Sequence, residues 1–563
     1  MDGVRFVAAR PAEAHDLVSL GFAMKLRTVV IPALVVAAVF AAVVGAARST
    51  VRTHRNAPAV DASDSIRTAA GQIDDWFAAR WRREGIEPAA PADELQVLRR
   101  LSLSLHGTVP SLEEIRQFEA DTGPDRLLRW TQRMLLDTRF ADYFSERLAR
   151  GFVGVDTAPF LVFRRDRFKD WLAGRLRENA PYDHIVREII STQGLWTGTP
   201  ASNFVTSAVV ENDVDENKLA GRSVRIFLGQ RIDCAQCHNH PFSHWKQLQF
   251  EGLASFYGQT QVSLAGVEDK SSDKGEPIEY AVEDRMTLQP RTIEPAVPFH
   301  PEWLPAEGSR RERLAGWIVH PDNRRFERAI VNRMWAYLFG RPWHDPVDDI
   351  PDPTLDDDLL DIAGRDFRAH GCDLRRLILV LTSTRPFRMA SVHPAGDADR
   401  FDQARREWAV FPMTRLRPEQ VIGGMLQAAS VQTINQQTHL LFRMIRFFRE
   451  KNFVDEYGDL GVDELAEQTA TITQALQRMN SQLSREIVQA NPLNATGRIA
   501  AMAGSDDKCL EVCFLVALTR RPTDDEKEAL VPQLADKTKD ERTNAVEDIL
   551  WALFNTEEFS WQH

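Results

Sequence analysis

Cys234 and Cys237 stand three positions apart, His238 follows at once, and His240 and His244 lie just downstream. Thiolate and imidazole are the side chains that hold haem iron and zinc, so this crowding points to a cofactor. The order CxxCH is that of c-type haem attachment, in which two thiols add to the haem vinyl groups and the adjacent imidazole ligates the iron. Five Cys and fourteen His in 563 residues would produce the pattern by chance on the order of once per thousand chains. Haem c on Cys234, Cys237 and His238 is the leading reading. A tetrahedral zinc ion held by Cys234, Cys237 and two of His238, His240 and His244 is the second. A Cys234–Cys237 disulfide with incidental histidines is the third. A haem would further take Met286, His300 or His320 as a sixth ligand or leave that position open, although each of these also suits an ordinary core or surface place.

The elements that must position these residues read as helices. Lys218, Leu219, Val224, Phe227 and Leu228 recur at helical spacing and Gly229 supplies a stop, so the cysteines fall just beyond a helix end. Downstream, Pro241 suits the first turn of a helix with Phe242, Trp245, Leu248, Leu253 and Phe256 on one face, which would set His240 and His244 four apart near its start. The same period recurs over 72–83, 127–152, 168–176 and 182–190. Beyond residue 309 it returns in the stretches holding Leu314 and Trp317, Ile330 to Phe339, Leu374 to Leu381, Pro418 to Ala429, Glu464 to Met479 and Lys508 to Leu518. Ser111 with Glu114 and Thr523 with Glu526 have capping-box spacing. The chain is therefore expected to be mainly α. Its expected parts are an N-terminal segment 1–65, a helical domain 66–260 carrying the motif, an irregular linker 261–308 with a short candidate β-hairpin near Ile278 to Val282, and a helical domain 309–563.

Composition narrows the function classes. A net charge of -12 argues against a nucleic-acid partner, which needs a basic surface. Arginine pairs such as Arg82-Arg83 and Arg164-Arg165 read as solvated helix faces. Cys509 and Cys513, i and i+4, read as small hydrophobes on one helix face, and Cys372 stands alone. The aspartates from Asp345 to Asp361 lack calcium-loop spacing and read as a solvated loop with helix caps. The tryptophans, Trp335 and Trp343 among them, fall at core positions. The chain contains no nucleophile elbow, phosphate loop or HExxH, so no hydrolytic activity can be assigned.

Val29 to Ala47 is an uncharged apolar run flanked by Lys25, Arg27 and Arg48, long enough to cross a bilayer as a signal-anchor helix. The basic residues on its two sides nearly balance and do not fix its orientation. Haem c is attached on the outer side of the bacterial inner membrane, so the haem reading places the bulk of the chain in the periplasm, anchored to the inner membrane and facing a redox partner protein.

Several longer segments carry a family resemblance. Leu98 to Asp121, Pro181 to Ile190 and above all Arg225 to Trp245 resemble the domain of unknown function DUF1549, described as planctomycete cytochrome-like. Arg310 to Asp349, the stretch HGCDLRRLILVLTSTRPFRMAS and the ending VALTRRPTDDE resemble its companion, DUF1553. The resemblance implies a site at Cys234, Cys237 and His238, with His240 in the same pattern, but brings no activity. Ser104 stands where that family typically has an aspartate and receives no site role.

Overall fold

The structure, a computed structural model, describes residues 60–155, 162–211, 213–269, 279–283, 288–354, 357–392, 397–430, 432–434, 452–454, 456–458, 465, 471–492 and 494–563. The apolar run Val29 to Ala47 and Met286 lie outside them. No helix among the described residues is long and apolar enough to cross a membrane.

Helices dominate, and their ends fall where local chemistry puts them. Ser111 and Glu114 close a capping box on the helix Leu112–Ala120, and Thr523 and Glu526 do the same for Asp524–Leu530. Gly340, at φ 79°, ends the helix Arg324–Phe339. The periodic stretch 127–152 is two helices, Arg126–Leu136 and Thr138–Val153, because the Asp137 side chain accepts the Arg139 N–H and starts a new helix there. Among the described residues strands occur only as antiparallel pairs. Two of them lie in the expected linker, Thr260–Ser263 with Gly266–Asp269 and Ala281–Glu283 with Pro290–Thr292.

Residues 64–563 form one compact unit, and the helical segments on either side of the linker share a core. Trp81 Nε1 donates to the Glu407 carbonyl at 2.9 Å, and the Tyr337 hydroxyl donates to the Arg147 carbonyl at 2.9 Å. The C-terminal Trp561–Gln562 pairs with Thr414–Arg415. Phe77, Trp335 and Phe339 stack through the centre, so Trp335 is core as expected, as are Cys509 and Cys513.

Arginine is not confined to the surface. Arg82 and Arg83 are exposed, but Arg99 and Arg100 are buried. Arg100 donates to the carbonyls of His563, Phe387 and Met389 at 2.7–2.8 Å and lies 3.8 Å over the Phe411 ring. Five-donor geometry lets one guanidinium gather carbonyls that no helix satisfies. Ser104 is also structural, since its hydroxyl donates to the Leu338 carbonyl and accepts from Gln562.

One buried histidine makes the fold acid-sensitive. His106 donates from Nε2 to the Met134 carbonyl at 3.0 Å, and its Nδ1 is buried with no partner. Burial, reinforced by the charge of Arg139, pushes its pKa from 6.5 down to about 4. Between those values the unfolded chain takes up a proton that the folded chain refuses, so this group lowers stability as the pH falls through the window, by about 3 kcal/mol in all. Denaturant unfolding of the native chain and of His106→Gln at pH 7 and pH 4 should show the variant losing less stability by that amount; parallel losses would contradict it.

Candidate functional site

The motif is delivered by the helix Glu216–Leu228. Asp215 caps its start by accepting the Lys218 N–H at 2.8 Å, and Gly229 ends it at φ 63°, as the sequence predicts. A Cβ on Gly229 would lie 2.8 Å from Ile350 Cγ1, so glycine is required there both for conformation and for space. The chain beyond is pinned to a distant connection. Ile350 N–H donates to the Gly229 carbonyl at 2.8 Å, Gln230 Nε2 donates to the Ile350 carbonyl at 2.6 Å, and Arg231 pairs with Asp348 at 2.7 Å.

Residues 233–236 make one 3-10 turn in which Ala235, three residues after Ile232, turns inward while Asp233, Cys234 and Gln236 face solvent. Ile232 and Ala235 are buried, as is Trp245 on the return, whereas Cys234, Cys237 and His238 are exposed. The buried residues hold the backbone while the two thiols and the imidazole are each exposed to solvent. Neither thiol is in a disulfide. His238 Nδ1 lies 2.7 Å from the Asn239 carbonyl. A carbonyl can only accept, so Nδ1 carries the proton and Nε2 the lone pair, which is the tautomer a metal ligand needs.

The return of the loop differs from the expected helix. Residues 241–244 are irregular, and the helix begins only at Gln247, running to Ala254. His240 N–H donates to the Trp245 carbonyl at 2.8 Å and Gln247 N–H to Asn239 Oδ1 at 3.1 Å, so the loop closes on itself instead of winding from Pro241. Phe242 and Leu248 are consequently not core: they are 94% and 65% exposed beside the motif.

The other histidines are engaged elsewhere. His240 Nδ1 accepts the Phe242 N–H at 3.2 Å, which leaves the proton on Nε2. His244 stacks on Trp245 at 5.2 Å and faces Asp352 at 3.8 Å. Among the described residues no group of three or more His, Cys, Asp or Glu side chains is arranged to hold a metal ion. His300 and His320 sandwich Trp303 at 3.9 and 4.9 Å, and neither hydrogen-bonds to or stacks on the 234–244 loop among the described residues.

The described aspartates after Asp345 supply the expected helix cap, and Asp349 and Asp357 are exposed, but others are held in ion pairs. Asp348 pairs with Arg231, Asp352 with Arg325 at 2.6 Å, and Asp361 with Arg324 at 2.6 Å, while Asp358 caps the helix Leu359–Ala369. This lattice fixes the connection that pins the motif. Nothing local announces it, because its arginines come from other parts of the chain.

Residues 72–262 match the family model described as PSCyt2, protein of unknown function (DUF1549), and residues 310–534 match that described as PSD1, protein of unknown function (DUF1553). The whole CxxCH loop lies inside the first match. No curated protein and no solved structure matches the chain.

Proposed function

We propose that this chain, which belongs to the proteins joining a DUF1549 domain to a DUF1553 domain, carries haem c on Cys234, Cys237 and His238 and serves electron transfer or haem-dependent redox chemistry. The observation that carries this reading is the joint exposure of the two thiols and of His238, on a turn anchored by buried neighbours, with Nδ1 of the imidazole tied to a carbonyl. Cys234 and Cys237 would each add S–H across a vinyl group, the sulfur bonding one carbon and the hydrogen the other, with no oxidant required. His238 would offer Nε2 to the iron, its ring held by the Asn239 carbonyl. A haem so bound supplies one-electron chemistry. Phe242 and Leu248 offer apolar surface to its edge or to a redox partner protein. On this reading Val29 to Ala47 anchors the chain with its bulk outside the cytoplasm, where haem attachment takes place.

Zinc fits less well, since Nδ1 of His240 is already taken by the Phe242 N–H and His244 is turned to Asp352. Full-length protein produced with a haem-maturation system should show a c-type absorption spectrum and keep its haem through denaturation. Colourless protein containing one zinc per chain would overturn the reading.

A further inference from the structure

A cavity of about 340 Å³ is lined by residues from 340–345, 405–420 and 561–562, with Tyr457, Leu465 and Gln474. Its walls combine arginine with tryptophan. Arg341, Arg406 and Arg415 line it together with Trp343, Trp408 and Trp561. Such a lining is unusual in a chain with a net charge of -12.

The charges in it are incompletely compensated. Arg415 Nη2 donates to the Tyr457 hydroxyl at 3.4 Å, while its Nη1 is buried and makes no hydrogen bond. Among the described residues no carboxylate forms an ion pair with Arg415 or Arg406. A buried cationic N–H without a partner is costly, and native proteins keep such groups where a ligand completes them. Asp345 is the only acid among the described lining residues, and it is exposed at the rim. Arg417 pairs with Glu419 at 3.2 Å, a carboxylate it shares with Arg147.

The arginines are also held ready. The Arg341 guanidinium lies 4.1 Å over the Trp408 ring and donates to the Arg405 carbonyl, which fixes its plane. Arg415 sits on the strand pair Thr414–Arg415 with Trp561–Gln562. That pair can approach because Gly340 has no side chain: a Cβ there would fall 2.0 Å from Thr414 Oγ1.

We infer that this cavity binds a small ring-bearing oxyanion, its carboxylate, phosphate or sulfate group taken by Arg415 and Arg406 and its ring packed against the indoles. Planar guanidinium groups match such oxygens in paired hydrogen bonds, and aromatic walls bury a ring's face. The size falls within the range of small-ligand sites. The inference does not depend on haem.

Quenching of tryptophan fluorescence in the full chain tests it, with benzoate, phenyl phosphate and phenyl sulfate as probes and benzyl alcohol as the neutral control. At least one anion should quench saturably, more weakly in high salt, and the three arms tell which oxyanion is preferred. Arg415→Met should weaken binding roughly tenfold or more, and Arg406→Ala by a smaller factor. Arg415→Lys should recover part of the loss. Arg406 is exposed, so its variant keeps the test decisive even if Arg415→Met unfolds. Absence of quenching by every anion, equal binding of benzyl alcohol, or unchanged affinity in Arg406→Ala and in whichever Arg415 variant folds overturns the inference.

Discussion

Replacing Cys234 and Cys237 together by serine should abolish covalent haem while leaving the fold nearly untouched. Both side chains are exposed on a turn whose backbone is held by Ile232, Ala235 and Trp245, and exposed substitutions away from caps and cores change stability by about 0.5 kcal/mol or less. Any haem would then separate from the denatured chain, whereas on the proposed reading the native chain would keep it. His238→Ala should differ in kind: the thioethers form, but the iron loses its protein nitrogen and the absorption bands shift. A structural metal makes the opposite forecast, because removing thiolate ligands takes away binding energy that is also folding energy. Thermal unfolding of the double variant alongside haem analysis distinguishes them. A fall of many degrees, with no haem in the native chain, would favour the metal; an unchanged transition with complete loss of attached haem supports the cytochrome-like reading.

How much of this was legible in the sequence depended on how local each signal was. Helix ends could be read from neighbours a few residues apart. Gly229 takes a left-handed conformation at the predicted stop, and Ser111 and Thr523 cap as their spacing predicts. The motif's position just past a helix end followed from the same local logic. The loop that follows it could not be read this way. Pro241 is a good first-turn residue, but the His240–Trp245 hydrogen bond and the burial of Trp245 settle the backbone, and they compete successfully with a weak propensity.

Charge misled for the same reason. A string of aspartates beside prolines has the composition of a solvated loop, and only folding brings Arg231, Arg324, Arg325 and Arg328 to it. Arg99 and Arg100 look like any basic helix face until the C-terminal residues supply carbonyls around them. The oxyanion cavity is the extreme case, since its walls come from four stretches of chain spread over more than two hundred residues. No window of sequence contains it.

The aspartate lattice carries the largest stability forecast. Arg328 and Asp361 are only 3% and 2% exposed and pair directly, and Arg328 also reaches Asp358 at 2.9 Å and 3.2 Å. Removing Arg328 takes the nearest counter-ion from buried Asp361, which keeps only the partly exposed Arg324 at 2.6 Å, so Arg328→Ala should cost about 3 kcal/mol in denaturant unfolding, the low end for a broken buried pair. Arg365→Ala, which breaks an exposed pair with Asp357, should cost about 1 kcal/mol or less. Acid should weaken the native lattice itself. Burial by itself would raise the Asp358 pKa, but the His344 hydrogen bond at 2.9 Å and the charge of Arg328 hold it well below the usual carboxylate range. Its contribution is therefore full above the unfolded value and is lost as the pH falls through the lowered one. The effect should reach the motif. Arg328 also donates to the Pro351 carbonyl at 3.5 Å, next to Ile350, whose N–H holds Gly229. In Arg328→Ala, hydrogen exchange at the Ile350 amide should quicken and haem incorporation should fall even though every motif residue is intact. Unchanged exchange at Ile350 in a destabilised variant would show that the lattice supports the core without steadying the site.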